Sequence, residues 1–334
     1  MGRCNHFLIF AYLFLALMAM PSGIEAGSAS PATSRIVALN SDSLEAICIL
    51  GLQDQVVGVS SGVKKEPLLW RELAGLPAVG KWNEPNYEKI YSLRPDVVVA
   101  YKNSPGMLLN KKLPNVKVLR LDLYKPSTML EDIRALGESL GARKKARNFI
   151  LWYRGQLKHI RERISGAGEP PEVYMECYTA FHALGPGSGG YQMGHLARGN
   201  VISSEFSVPY ARITSEWILR KQPEIVVKTA SIDGYALTQG QSLRTIRQKV
   251  MDRPGWQGIE AIKNRRVCVL AADICAGPRA IVGIAYMAKY FYPKECADLK
   301  PEELHRQYLE RFQKVAYKGR YFWPPLDKCE NKTK

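Results

Sequence analysis

Short, largely apolar runs alternate along this chain with stretches whose apolar residues recur every three or four positions. Arg35–Leu39 (RIVAL), Gln55–Val59, Val97–Ala100 and Val116–Leu121 are runs of the first kind and predict strands. Ser43–Leu52 (SLEAICILGL) predicts a helix, with Leu44, Ile47, Cys48 and Leu50 as its apolar residues and Gly51 as a stop. Asn86–Leu93 and Thr128–Leu140 predict two more. The alternation restarts with strand Glu172–Cys177, a Gly-rich loop, and helices Tyr191–Ala197 and Ser215–Lys221. Strand Ile225–Lys228, helix Ser242–Val250, strand Arg266–Leu270 and helices Pro278–Phe291 and Pro301–Phe312 complete it. Apolar strands separated by helices predict parallel sheets covered on both faces.

Between the two halves lies a different pattern. Ala146, Phe149, Ile150, Tyr153, Leu157, Ile160 and Ile164 recur at steps of three and four, interleaved with Arg143, Lys144, Lys145, Arg147, Arg154, Lys158, Arg161 and Arg163. This predicts one amphipathic helix over Ala142–Ser165, ~36 Å long at 1.5 Å per residue. Such a basic helix suits a membrane surface or an acidic partner, while a solvated face on a core-packed helix accounts for the same pattern. Gly166–Pro171 (GAGEPP) ends it. The predicted organisation is therefore α/β: an N-terminal lobe over 35–141, a connecting helix over 142–165, a C-terminal lobe over 170–293 and a terminal helix over 300–316. These are two Rossmann-like lobes with parallel sheets, joined by one long rigid helix.

The first 26 residues carry a separate message. Arg3 precedes an unbroken apolar run, Phe7–Met20, which Pro21, Ser22 and Gly23 interrupt; small residues before Gly27 offer a cleavage point. This is the layout of a secretory signal peptide over 1–26, too short in its apolar run to span a bilayer. Export changes how the charge reads. With 47 Lys and Arg against 31 Asp and Glu, the formal +16 first suggests a nucleic acid or a membrane surface. An exported chain meets no nucleic acid, and the excess then favours an anionic small molecule. Export also bears on the cysteines left after cleavage, Cys48, Cys177, Cys268, Cys275, Cys296 and Cys329. No CxxC pair exists, so a structural zinc site has no support. Cys48 and Cys177, in apolar segments, read as buried free thiols, and the pairing of the others stays open.

An internal repeat is the most informative feature. Residues 86–99 (NYEKIYSLRPDVVV) and 214–227 (TSEWILRKQPEIVV) align without a gap at an offset of 128. They share Glu88/Glu216, Ile90/Ile218, Pro95/Pro223, Asp96/Glu224 and a valine pair. Each unit is physically coherent. A capping residue opens a short helix, Glu meets the positive end of its dipole, Pro stops it, and an apolar strand follows. With the RIVALN opening, the long helix and the RPGWQGIEAIKNRRVCVL segment, the chain resembles the solute-binding proteins of ABC importers for ferric siderophores, haem and cobalamin. The resemblance covers nearly all of the chain after the signal segment. It implies a periplasmic or extracytoplasmic monomer that is no enzyme and carries no resident cofactor. It also implies that Glu88 and Glu216 stand on the outer tips of the lobes and pair with an inner-membrane permease. Stabilisation of the helix N-termini alone accounts for both residues as well.

Ligands of open α/β sheets bind beyond the carboxyl ends of the strands. Here those positions hold Asn40-Ser41, Ser60-Ser61, Tyr101-Lys102, Tyr178, Thr229 and Ala271–Arg279, and the resemblance adds Lys81 and Trp82. Aromatics, hydroxyls and cations together suit an anion with an extended ring surface, such as a ferric siderophore, a haem or a corrinoid. The same family includes proteins for oxyanions such as molybdate, which is the alternative reading. Arg279 suits a carboxylate or oxyanion bidentately, or a salt bridge. Tyr178 and His182 suit either direct iron ligation or the cleft wall. His159, His182, His195 and His305 form no cluster in the sequence, which argues against a bare metal site.

One enzyme motif competes. Gly185-Pro186-Gly187-Ser188-Gly189-Gly190 matches G-x-G-x-x-G, and Glu205 follows 20 residues after Gly185, as a dinucleotide site requires. Its position mid-chain, its separation from the preceding strand by Thr179–Leu184 and the scarcity of NAD outside the cell oppose it. No P-loop, G-x-S-x-G or HExxH is present, and Glu172 and Glu176, on one strand face, lack a partner acid.

Overall fold

The computed structural model describes residues 34–63, 72–232, 234–237 and 241–326. The predicted signal segment, Cys4 and Cys329 lie outside them.

The first lobe is built from β1 (Ile36–Ala38), α1 (Ser41–Ile49), β2 (Val56–Val59), α2 (Tyr87–Ser92), β3 (Val97–Ala100), α3 (Leu108–Lys112), β4 (Lys117–Arg120) and α4 (Pro126–Ser139). Its four strands are all parallel, in the order β2-β1-β3-β4. Helix α5 (Arg143–Ile164) then leads to β5 (Glu172–Glu176), β6 (His182–Leu184), α6 (Gly189–Leu196), β7 (Asn200–Val201), β8 (Tyr210–Arg212), α7 (Ser215–Lys221) and β9 (Ile225–Thr229). The chain ends with α8 (Gln241–Met251), α9 (Glu260–Lys263), β10 (Val267–Leu270), α10 (Ala280–Phe291), α11 (Pro301–Tyr308), a π-helical turn over Leu309–Gln313, and β11 (Phe322–Trp323).

The second sheet departs from the expectation of parallel strands. Its order is β11-β10-β9-β5-β6-β8, with β7 beside β5. β5, β7, β9 and β10 are parallel, β6 and β11 run against them, and β8 pairs antiparallel with β6. β6, β8 and β11 are two or three residues long, too short to show a period, and β6 follows β5 through a tight reversal that only the tertiary fold makes into a pair.

Strand side chains alternate faces, and in β1, β3 and β10 both faces are buried, which is why those runs are apolar throughout. In the first lobe Ile36, Ala38, Val97 and Val99 face one cluster, while Val37, Leu39, Val98 and Ala100 face another. In the second lobe Val173, Met175 and Val227 join the same first cluster, and Tyr174 and Val226 a third. The shared cluster includes side chains of α1, α5, α10 and α11, so the lobes are welded along one side. α5 contributes Ala146, Phe149, Ile150, Tyr153, Ile160 and Ile164, and Phe149 and Trp152 pack edge-on against Phe312 at 5.0 and 4.9 Å.

The internal repeat holds to the atom. Asn86 and Thr214 are the N-caps of α2 and α7, each side chain accepting from the third helical amide, at 2.9 Å from Lys89 and 3.2 Å from Trp217. Both helices are followed by a left-handed residue at equivalent positions, Arg94 (φ 47°) and Gln222 (φ 45°). Asp96 accepts from the Arg35 amide at 2.7 Å, ahead of β1, and Glu224 accepts from the Glu172 amide at 3.1 Å, at the head of β5. The two lobes are thus structural copies around their central strands.

Candidate ligand-binding cleft

The carboxyl ends of the strands converge where the lobes meet. On the first lobe, Trp82, Tyr101 and Tyr124 form a chain of edge-on rings with centroids 5.6 and 5.4 Å apart. Trp82 is 47% exposed, so its ring is presented to solvent. On the second lobe Tyr178 and Tyr210 are exposed at 68% and 53%. Burial, and then the phenols of Tyr124 and Tyr178, push the Tyr210 hydroxyl above the ordinary tyrosine range. Lys125 stands over the Tyr124 ring at 5.1 Å, and its hydrogen bond with that phenol raises its pKa.

An acidic side chain of α1 lies beside Tyr101. Tyr101 donates to Asp42 Oδ2 at 2.5 Å, and the committed phenol is held well above its usual range by burial and by that carboxylate. Asp42 in turn meets the second lobe: a methyl group on Gly277 (φ +69°) would stand 2.7 Å from Asp42 Oδ1, so the backbone here approaches as only glycine allows. One turn along α1, Glu45 is 2% exposed, forms an ion pair with Arg279 at 2.9 Å from Nε, and accepts from the Tyr308 hydroxyl. Arg279 also lies 3.6 Å from Asp273, which caps the amides of Gly234 and Tyr235. Burial, only partly offset by Arg279 and Tyr308, raises Glu45 to about 7. Asp42 is also raised by burial, against the pull of Tyr101 and Arg279.

Several residues expected to hold ligand are committed elsewhere. Asn40 caps α1, accepting from Ser43 at 2.8 Å. Thr229 is buried, its hydroxyl on the Glu176 carbonyl at 3.3 Å. Lys81 is exposed but paired with Glu84 at 2.9 Å. Arg279 is 4% exposed and pairs with Glu45 of the first lobe and Asp273 of the second. Ser60 is buried, while Ser41 is half-buried at the start of α1. His182 is half-buried, Nδ1 donating to the Ala180 carbonyl at 3.0 Å, which leaves Nε2 toward solvent or ligand. Among the described residues no group of three His, Cys, Asp or Glu could hold a metal ion. Cys177 and Cys296 are buried free thiols and Cys268 is buried, whereas Cys48 and Cys275 are half-buried; burial pushes Cys48 up to about 12.

Sequence reasoning missed Asp42, Glu45, Tyr124, Lys125 and Tyr210. Tyr124 and Lys125 follow β4 at its carboxyl end, so the strand-end rule would have found them. Asp42 and Glu45 looked like ordinary helix polars, because only the second lobe buries them.

A family model for periplasmic binding proteins matches residues 36–274. The chain belongs to the periplasmic binding protein family. Among its relatives is the uncharacterised ABC transporter substrate-binding lipoprotein YvrC of Bacillus subtilis, 28% identical over 272 residues, 78% of this chain and 80% of YvrC. The molybdate-binding protein MolA of Haemophilus influenzae is 23% identical over 320 residues, 85% of this chain and 87% of MolA. Its molybdate-bound structure aligns with a TM-score of 0.71 at 19% identity, over 86% of this chain and 94% of that one. The TroA-like periplasmic binding protein FepB of Veillonella parvula aligns with a TM-score of 0.72 at 20% identity, with the same coverages of 86% and 94%. Periplasmic binding proteins of this class are transport proteins, and no helix among the described residues is long and apolar enough to cross a membrane.

In this periplasmic binding protein the Gly-rich loop has a packing role. A methyl on Gly185 would meet the Val208 carbonyl at 2.7 Å, on Gly190 the Leu184 side chain at 2.5 Å, and on Gly189 the Tyr124 carbonyl of the other lobe at 2.8 Å. Ser188 already caps α6, its hydroxyl accepting from Tyr191, so the turn that a pyrophosphate would need is filled by protein. Glu205, the expected ribose ligand of that reading, binds Trp217 Nε1 and Lys221, both at 2.6 Å.

Proposed function

We propose that this chain is the extracytoplasmic substrate-binding component of an ABC importer, exported by its N-terminal signal segment and acting as a monomer without catalysis. It captures an anionic, ring-bearing metal complex, a ferric siderophore, haem or corrinoid, between its lobes. The observation that carries the ligand class is the aromatic lining contributed by both lobes, Trp82, Tyr101 and Tyr124 opposite Tyr178 and Tyr210. Flat rings pair with ring surfaces, and Lys125 with its raised pKa supplies positive charge at the same place. An oxyanion such as molybdate, the ligand named for MolA, is the second reading. It is favoured less because the guanidinium best suited to a small oxyanion, that of Arg279, is tied to Glu45 and Asp273.

The ligand is tested on protein purified from its producing host, by absorbance and native mass spectrometry. A visible band with a matching mass supports the metal-complex reading; a colourless protein that is stabilised only by molybdate overturns it. Saturation at about 100 times Kd should add ~2.7 kcal/mol of stability with no turnover. Trp82→Ala removes one exposed stacking ring and should weaken binding about tenfold, since an aromatic contact contributes ~0.5–1.5 kcal/mol beyond its area.

Glu88 and Glu216 serve as the permease-docking pair on this reading. Both are exposed and occupy the same second helical position of repeated units. Glu216 is held below the usual carboxylate range by its own amide and by the Thr214 hydroxyl, so it stays charged. The double variant Glu88→Ala/Glu216→Ala should keep ligand affinity and abolish uptake in cells; undiminished uptake would overturn the assignment.

A further inference from the structure

The outer face of α5 carries a charge pattern that the cleft does not use. Arg143, Arg147, Arg154, Lys158 and Arg161 are exposed and follow one another at steps of four, seven, four and three. At 3.6 residues per turn these steps confine them, with Leu151, to a stripe roughly 80° wide and ~27 Å long. Arg143, Arg147, Arg154 and Arg161 make no ion pair among the described residues, and Lys158 has one partner, Glu162 at 3.6 Å. Leu151, midway along the stripe and at one edge of it, is 57% exposed.

Helix electrostatics oppose this arrangement. Like charges four residues apart, Arg143 with Arg147 and Arg154 with Lys158, repel one another. Three cations, Arg143, Lys144 and Lys145, stand at the positive end of the helix dipole, where no acid lies in the first turn and no side chain caps Ala142. A face kept only for solubility would mix signs, as α4 does beside it: Glu131 pairs there with Arg134, and Glu138 stands near the same guanidinium. Between the two helices a groove with Leu130, Ala146 and Ile150 among its lining opens beside Arg143, Arg147 and Arg154, with Glu131, Arg134 and Glu138 of α4 on its other wall.

We propose that this face of α5 is a peripheral membrane-binding surface whose partner is the anionic phospholipid headgroups of a bilayer. A straight row of cations with an apolar residue midway along its edge matches a flat anionic surface: the guanidiniums meet phosphates and Leu151 reaches the acyl boundary. The proposal does not depend on what the cleft binds.

The test is flotation of the exported protein with vesicles of about one-third phosphatidylglycerol in phosphatidylcholine, beside pure phosphatidylcholine, at ~50 mM and ~500 mM salt. Binding should require phosphatidylglycerol and fade at the higher salt. A surface cation near such a membrane contributes about fivefold in affinity, so Arg143→Gln/Arg147→Gln/Arg154→Gln should lose ~100-fold. The control Lys111→Gln/Lys112→Gln/Lys117→Gln removes the same charge from exposed positions of the first lobe and should cost no more than about threefold. Leu151→Ser should weaken binding severalfold at either salt. Equal losses in the two triple variants would reduce the effect to net charge and overturn the proposal. So would equal binding to pure phosphatidylcholine, or no binding to either vesicle, which would leave an acidic protein or a solvated face. Retained ligand-induced stabilisation in each variant shows that the fold and cleft are intact.

Discussion

Replacing Arg279 by Met should destabilise the protein by about 3–5 kcal/mol at pH 8, because a buried guanidinium is removed from among carboxylates that stay behind. Arg279 is 4% exposed, pairs with Glu45 at 2.9 Å and lies 3.6 Å from Asp273, and its charge also reaches Asp42. Methionine fills similar volume but neutralises nothing. The loss should shrink toward pH 5, and the sign follows from Glu45. Its folded value of about 7 stands above the ordinary 4.5, so folding favours the protonated acid. The associated stability is fully present below pH 4.5 and is lost as the pH rises through about 7. Without Arg279 the acid takes up its proton still more readily, which relieves the variant at low pH only. Glu45→Gln, which mimics the protonated form, should be near neutral or mildly stabilising at pH 8, and combined with Arg279→Met should restore part of the loss. His305, packed 4.1 Å from Tyr321, is held well below its usual range by burial and by Arg279, and acts in the opposite sense on acidification. Differences between variants at each pH, from denaturant titrations, isolate the Glu45 contribution from it. An Arg279→Met protein within 1 kcal/mol of the parent at pH 8 would refute this account.

The second large effect belongs to Glu176. This carboxylate is wholly buried in β5 and receives Arg253 through two bonds of 2.6 and 2.7 Å, Lys228 at 3.1 Å, the Tyr174 hydroxyl at 3.0 Å and the Phe181 amide at 3.1 Å. Burial alone would raise its pKa, but the hydrogen bonds and charge of Arg253, then those of Lys228, outweigh it and hold the acid below 4.5. Glu176→Leu would leave two cations buried without an anion, and a loss of about 3–5 kcal/mol is expected at pH 7. Because the folded pKa is depressed, the parent's stability from this site is present above pH 4.5 and is lost as the pH falls through the folded value. The variant should therefore lack that acid-dependent step in its stability profile. A variant with unchanged stability at pH 7, or one that keeps the step, would show that Arg253 and Lys228 find water instead. The same cluster answers the sequence-level question about Glu172 and Glu176: Glu172 bonds the Asn200 side chain at the sheet edge, so the two acids serve different parts of the sheet.

Sequence periodicity reached the α/β class, the parallel strands of the first lobe, the long helix and its buried face within two residues at each end. These follow from local rules: an apolar run buried on both faces, a 3.6-residue period, a cap before a helix. The repeat was legible for the same reason, since each unit carries its own cap, stop and strand, and the structure extends it to Arg94/Gln222 and to the strand-heading bonds of Asp96 and Glu224. The charge was legible as an excess, and as a stripe on α5.

The sequence by itself thus determined what neighbours along the chain decide: which segments are strands and helices, that the lobes are copies, and that strand ends make a cleft. Tertiary structure alone decided the use of individual polar side chains. Whether Arg279 holds a ligand or a buried carboxylate depends on Glu45, some 230 positions away in the chain, and on the desolvation of both. Whether Gly189 cradles a phosphate or a carbonyl depends on Tyr124 of the opposite lobe. Pairings of that kind are set by burial and electrostatics across long separations, and no local pattern records them.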